Sequence, residues 1–291
     1  MTIQQLLPLG LAFIMLAVGI GLRVDDFKQI ALRPRALLVG LSNQIVLLPL
    51  IGLALALLYT GPKEFAFGIM ILAACPGGIT SNLLSVLAGG NGALSVSMTA
   101  VTSLASIITV PLILGLSQMV LLEGNSEIYM PVNQVMAGIF LITGLPISIG
   151  MLLNAKYPSF CQKAQPKVRA LATVIFALIV AGAFIANKDN IAQHFLDIGL
   201  FMVLLNIVTM SLGFYSARTC SSPPADSITI SLECGLQNVA LAIFIAVNVM
   251  GDAKLMVPAI IYALTMNISA AALIWFIRRT FSTTPTTSTC K

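Results

Sequence analysis

The sequence predicts an all-α polytopic membrane protein with nine transmembrane helices. Two of them are discontinuous helices that cross near the bilayer midplane as parts of an inverted repeat. Three observations carry this reading. Of the 291 residues, 58% are hydrophobic and only 9% are charged, against about 25% charged in a soluble domain. The charges sit in short clusters between long apolar runs. Two of those runs contain helix-breaking and polar residues at a depth where hydrocarbon makes them costly. The same composition excludes a soluble enzyme, a bitopic protein with a large polar domain, a disulfide scaffold, a disordered chain and a nucleic-acid module. Cys75, Cys161, Cys220, Cys234 and Cys290 are scattered without a CxxC spacing, so they signal neither a metal nor a redox pair.

Cutting the chain at its charges gives the elements in order. Residues 1–22 form the first span and 36–62 the second. Residues 65–122 are charge-free for 58 positions, enough for two spans of about 20 residues each; the turn Gly89-Gly90-Asn91-Gly92 divides them. Residues 128–155, 170–187 and 198–217 give the fifth, sixth and seventh spans. The eighth, 227–251, is interrupted by one acid, Glu233, and 255–277 is the ninth. Helices are the required form, because backbone polar groups must find partners without water.

With the N-terminus outside, the inner side holds Arg23, Lys28, Arg33, Arg35, Lys156, Lys163, Lys167, Arg169, Arg218, Arg278, Arg279 and Lys291. Only Lys63, Lys188 and Lys254 fall outside. This asymmetry, 12 of 15 basic residues, puts the C-terminus in the cytoplasm. It also explains the net charge of +5 as topology, with the lipid bilayer rather than nucleic acid as the partner. The Thr/Ser-rich stretch 281–291 is expected to be a disordered cytoplasmic tail.

Glu233 is the lone ionisable side chain well inside a span; Asp197 and Asp226 are expected at edges where water reaches them. A charge at the centre of a membrane helix costs about 2.5–3.5 kcal/mol even on an insertion scale. The spans offer it no Lys, Arg or His. It is therefore protonated, wetted by a cavity, or paired with a bound cation. Gln237, four residues on, is expected on the same helical face as Glu233, Asn238 lies close by, and Gly235 between Glu233 and Gln237 weakens the helix. Carboxylate and amide oxygens beside loosened carbonyls are hard-cation ligands, which favours the cation.

The third span breaks at Ala74-Cys75-Pro76-Gly77-Gly78-Ile79-Thr80-Ser81-Asn82. Pro76 lacks an amide and clashes with the preceding turn, and two glycines follow. In the fourth span Ser95 and Thr99 lie four apart on one face, and Thr102 and Ser106 continue the stripe. Gln44 in the second span and Asn267 in the ninth add single polar groups. Breaks in spans three and eight, five apart, run in opposite directions. That is the signature of an inverted repeat, with spans 1–4 matching 6–9. Span five then lacks a counterpart, which suggests a helix missing ahead of residue 1.

Four stretches together resemble the bile acid:sodium symporter family, collinearly over nearly the whole chain. They are Cys-Pro-Gly-Gly-x-x-Ser-Asn at 75–82, Gly-Asn-x-Ala-Leu-Ser-Val at 90–96, Glu-x-Gly-x-Gln-Asn at 233–238 and Asn-Ile-Ser at 267–269. The resemblance implies a ten-helix fold, of which this chain has nine, divided into a core and a panel domain. Within one transmembrane domain, 1–280, the panel would comprise spans 1–22, 128–155 and 165–187, and the core 36–122 and 194–280. It implies two sodium ions: one held by Ser81, Asn82, Ser95, Thr99 and Glu233, the other by Gln44, Glu233 and Gln237 with carbonyls around Cys234 and Leu236. Ile79, Thr80, Asn238 and Asn267 would face the substrate. Some relatives carry a polar residue where this chain has Ile79, which points away from bile acid itself.

The implied activity is sodium-coupled symport of an organic anion, bile-acid-like or a smaller carboxylate, by alternating access. The carrier is expected to be a monomer in the cell (inner) membrane. The main alternative is a proton-coupled carrier in which Glu233 titrates. An intramembrane enzyme is not expected, because the sequence shows no nucleophile–base pair, acid dyad or HExxH.

Overall fold

The computed structural model describes residues 3–23, 34–121, 130–220 and 222–281. Lys28, Arg33, Cys290 and residues 282–291 of the tail expected at 281–291 lie outside the described residues; Phe281 itself ends the last helix. Helix α1, Ile3–Gly21, is the first span. Helix α2 runs Pro34–Leu58. The third pass is split into α3, Lys63–Ala74, and α4, Ile79–Leu87. Then come α5, Gly92–Leu121, α6, Val132–Lys156, α7, Pro158–Ala186, and α8, Lys188–Thr219. The eighth pass is split into α9, Pro224–Gly235, and α10, Val239–Val249. A short 3₁₀ turn, Ala253–Met256, leads into α11, Val257–Phe281. The described residues thus form an all-α polytopic protein in which six helices are long and apolar enough to cross a membrane and Leu6–Gly21 and Val239–Val249 are shorter apolar helices; they contain no β-strand, only one isolated β-bridge.

Two boundaries differ from the sequence expectation. The sixth helix begins at Pro158 rather than near 170, and the seventh at Lys188 rather than near 198. In both, a polar stretch lengthens an apolar helix without breaking it. Hydropathy registers only the apolar part, whereas Lys, Gln and Ala are good helix formers in any solvent.

Prolines shape the rods. Helices α2 and α6 each contain a π-helical turn, Asn43–Leu47 and Phe140–Gly144. Each ends two residues before a proline, Pro49 and Pro146. The widened turn absorbs the missing amide and the clash with the carbonyl four residues back. Gln44 sits within the first of these turns, buried at 3% exposure.

Helix α1 packs on α6 and α7. Gly19 and Gly150 face each other with backbone against backbone: a Cβ on Gly150 would lie 2.7 Å from Leu16 O. Small residues permit this close approach between helices in lipid. Asn154 of α6 donates to Leu22 O at 2.8 Å and closes the end of α1. The broken passes form the centre of the remaining helices. Phe65 to Ala74 of α3 and Asp226 to Gly235 of α9 are buried without interruption. A helix buried on every face needs neighbours all round, and α2, α5, α8 and α11 supply them.

Candidate cation site at the helix crossing

Both breaks fall at the same point in space. The extended backbone of one crosses the other as a single antiparallel pair, Gly77 opposite Gln237. Gly78 N donates to Leu236 O at 2.8 Å, and Asn238 N donates to Pro76 O at 2.8 Å. Each break therefore satisfies backbone groups that the other leaves open, as a membrane interior requires. The reciprocal pattern is the one expected where the two breaks of an inverted repeat meet.

Glu233 lies just before the second break and is fully buried. Three hydroxyls donate to its carboxylate: Ser81 to Oε1 at 2.6 Å, Ser95 to Oε1, and Thr99 to Oε2 at 3.0 Å. Ser95 and Thr99 also face Asn82 Oδ1, at 2.9 and 3.4 Å. Ser81 also faces Gly78 O at 2.7 Å, and Thr99 faces Ser95 O at 3.1 Å. Each hydroxyl has one proton, so this cage holds more acceptor oxygens than protons to satisfy them. All five residues expected at the first ion position are together in it.

The second group lies beside the first. Gln44 Nε2 donates to Glu233 O at 3.4 Å, and Gln237 Nε2 donates to Cys234 O at 2.8 Å. The amide oxygens of Gln44 and Gln237 are buried and have no hydrogen-bond partner. Such orphans cost about 1–3 kcal/mol each. Glu233 and Gln237 do not share a helical face, because the helix ends at Gly235; the amide of Gln237 instead folds back onto the last turn. Gly77 fits only as glycine: a Cβ there would sit 2.6 Å from Glu233 Oε2 and 3.0 Å from Gln44 Nε2.

Two residues that the sequence reading missed hold the end of α9. Asn206 Nδ2 donates to Gly235 O at 2.8 Å, and Tyr262 OH donates to the same oxygen at 2.9 Å. Asn206 is a polar group inside the seventh span, the signal that could have found it. Gly235 itself is required by packing, since a side chain there would strike Met210 of α8.

Other expected groups are placed differently. Thr102 and Ser106 do not extend the cage; they donate to Met98 O at 2.8 Å and Ser103 O at 2.6 Å on their own helix. Asp226 was expected where water reaches it, and it is buried at 2% exposure. Asp197 is exposed. The four residues expected to face the substrate do not share one cavity. Thr80 and Asn267 line an open cleft of about 510 Å³ between α7 and α11. Ile79 lines a separate void of about 10 Å³ with Asn82 and Arg169. Asn238 caps α10, accepting from Leu241 N at 3.0 Å, with its amide 3.9 Å from Met15 Sδ of α1. Consecutive residues at the start of a helix diverge by about 100°, which sends Ile79 and Thr80 to different neighbours.

Among the described residues no group of three or more His, Cys, Asp or Glu side chains could hold a metal ion. The crossing offers one carboxylate among hydroxyl and amide oxygens. That set suits a hard ion of low charge rather than zinc or copper. Crossing broken helices around a caged intramembrane carboxylate define the architecture of an ion-coupled membrane carrier.

A profile of the sodium bile acid symporter family matches residues 8–194, and the chain belongs to that family of multi-pass membrane transporters. It is 30% identical over 272 residues to a probable sodium/metabolite cotransporter, BASS1, chloroplastic, of Oryza sativa subsp. japonica, covering 91% of this chain and 64% of that protein. It is 27% identical over 273 residues to the uncharacterized sodium-dependent transporter YocS of Bacillus subtilis (strain 168), covering 93% and 82%. It is 29% identical over 243 residues to the ileal sodium/bile acid cotransporter of Oryctolagus cuniculus, covering 82% and 68%. The chain thus spans somewhat less than two thirds of the rice relative's length.

Proposed function

We propose that the protein is a sodium-coupled symporter of an organic anion, with sodium as the co-transported ion. The observation that carries the reading is the oxygen-rich cage on Glu233, flanked by the two orphaned amide oxygens. A cation supplies what the arrangement lacks: positive charge for a carboxylate without a basic mate, and a partner for Gln44 and Gln237. Ser81, Asn82, Ser95, Thr99 and Glu233 would hold one ion. Gln44, Glu233 and Gln237, with the carbonyls of Cys234 and Leu236, would hold a second.

Coupling follows from the crossing. The ligands come from α2, α4, α5, α9 and the second break, so an ion bound there favours the conformation that brings them together. The N-termini of α4 and α10 start at the same crossing, where their partial positive charge suits a carboxylate. An anion that prefers the ordered crossing raises sodium affinity, and sodium raises anion affinity by the same factor. The cleft bearing Thr80 and Asn267 has room for a small carboxylate. We assign α1, α6 and α7 to a panel and the remaining helices to a core, and relative motion of the two would alternate access. Arginine and lysine clustering supports a cytoplasmic C-terminus.

Uptake into proteoliposomes tests this. Radiolabelled small monocarboxylates and a bile acid, pre-selected by thermal shift in sodium against potassium, are presented under an inward sodium gradient. Saturable uptake that requires sodium is expected. Equal uptake in sodium-free buffer under a pH gradient would overturn the sodium assignment in favour of proton coupling.

A further inference from the structure

We propose that Asp226 is a relay position for the coupling cation, on a polar ladder that joins the Glu233 cage to the arginine-rich end of the protein. This deepens the reading of the crossing as a sodium site and rests on it. Asp226 is a buried acid that the crossing does not use. Among the described residues no lysine or arginine is paired with it; its Oδ1 accepts from Asn91 Nδ2 at 2.8 Å.

Three segments carry oxygen-bearing residues at one-turn spacing beside the two acids. On α9, Asp226, Thr229 and Glu233 are spaced three and four apart and share one face. The two carboxyls are separated by about 10 Å of helix. Ser95 of α5 follows Asn91, which lies in the turn before that helix, by four residues. On α4, Ser85 follows Ser81 by four. Bonds between the helices tie these faces into rungs. At the upper end Ser81 and Ser95 donate to Glu233. One turn down, Asn91 N donates to Thr229 Oγ1 at 2.7 Å. At the lower end Asn91 meets Asp226.

Ser85 supplies the independent sign of a missing guest. It is fully buried, and its hydroxyl has no hydrogen-bond partner. Its carbonyl accepts from Gly90 N at 2.7 Å, which sets it against the turn that carries Asn91. A Cβ on Gly90 would lie 2.9 Å from that carbonyl and 2.6 Å from Thr229 Oγ1, so the turn packs tightly between the Ser85 backbone and the Thr229 hydroxyl. Unpaired buried hydroxyls are costly; among the described residues Tyr59, Ser103 and Thr143 also carry one, and Ser85 is the one that lies a single turn beyond Ser81 of the cage. Clamping of the 89–92 turn to the first turn of α9 accounts for Asn91 and Asp226. It does not account for the vacant hydroxyl, nor for the continuity of the ladder with Glu233.

A cation leaving the cage through unrelieved protein interior would lose its ligands all at once. Oxygens of Thr229 and Ser85 and the carboxylate of Asp226 divide that loss into short steps. The relay therefore acts on how fast the ion enters and leaves, and little on how tightly the cage binds it.

The test uses sodium itself as the probe, without organic substrate. Wild type, Asp226→Asn and Ser85→Ala are compared in proteoliposomes by charge displacement after a sodium jump, and in detergent by melting temperature in sodium and potassium. Asparagine can still accept from Asn91, so the clamp is kept. The expected result is an unchanged sodium-specific stabilisation in both variants, with relaxation slowed about tenfold or more in Asp226→Asn and several-fold in Ser85→Ala. Ser85→Ala removes an unsatisfied hydroxyl, so it folds at least as well as wild type and keeps the test available if Asp226→Asn folds poorly. Wild-type relaxation rates in both variants, with the sodium-specific stabilisation intact, would overturn the relay alone. Absence of any sodium-specific stabilisation in wild type would overturn the sodium site and the relay with it.

Discussion

Replacing Glu233 by Gln tests the cage with almost no change in volume. The carboxylate sits fully buried and accepts from Ser81, Ser95 and Thr99. Glutamine can still accept through its one oxygen, but its amide nitrogen meets hydroxyls that also donate, and the charge is gone. Breaking a buried ion pair by removing one partner costs about 3–5 kcal/mol, which is roughly 150-fold or more in sodium affinity. At a sodium concentration about 100 times the wild-type Kd, binding stabilises the folded protein by about 2.7 kcal/mol. In the variant the same concentration falls below the new Kd, and the stabilisation drops to about 0.3 kcal/mol or less. The assay is thermal unfolding in detergent followed with a thiol-reactive dye. Cys75 and Cys234 are buried at the crossing and report its opening; the exposed Cys220, the buried Cys161 of α7 and Cys290 are replaced so that only the two crossing thiols react. Wild type is expected to melt higher in sodium than in equimolar potassium, and Glu233→Gln equally in both. A sodium-specific shift of wild-type size in Glu233→Gln would refute the reasoning.

Other outcomes follow from the same geometry. Gly77→Ala places a methyl group 2.6 Å from Glu233 Oε2, so overpacking of about 1–3 kcal/mol and loss of the sodium increment are expected in the same melting assay. Thr99→Ser keeps an oxygen near Oε2 and is expected to retain most of the sodium-specific shift, whereas the near-isosteric Thr99→Val is expected to lose most of it. Tyr262→Phe deletes a donor to Gly235 O, and the melting temperature is expected to fall by the equivalent of about 1–3 kcal/mol in sodium and potassium alike. Unequal effects in the two salts would show that Tyr262 contributes to ion binding and not only to the end of α9.

The crossing was legible in the sequence because hydrocarbon makes its parts conspicuous. A lone carboxylate, and a proline followed by two glycines and three polar residues, are costly enough at membrane depth to mark themselves. Ser81 and Asn82 belonged to that pattern, Ser95 and Thr99 were marked by a polar stripe in the fourth span and by the family resemblance, and the structure gathers all four around Glu233. What the sequence hid was decided by packing. Asp226 occupies a span edge in the chain just as Asp197 does, yet the 89–92 turn covers the first and leaves the second exposed. The orphaned oxygens of Gln44, Gln237 and Ser85 depend on side-chain direction, which spacing does not determine. Gly235 is read from sequence as a weak point in a helix; its close approach to Met210 shows a steric requirement instead. The start of α7 was misplaced because a basic stretch resembles a loop to hydropathy while remaining a good helix.

Equilibrium binding of radioactive sodium to the purified protein, with its stoichiometry, tests the central assignment most directly. Wild type is expected to bind two ions per chain saturably, with potassium unable to displace them. A Gln44→Ala, Gln237→Ala double variant is expected to bind one, and Glu233→Gln none. Saturable wild-type binding that survives intact in Glu233→Gln, or no saturable binding in wild type, would contradict the assignment of sodium to the buried carboxylate.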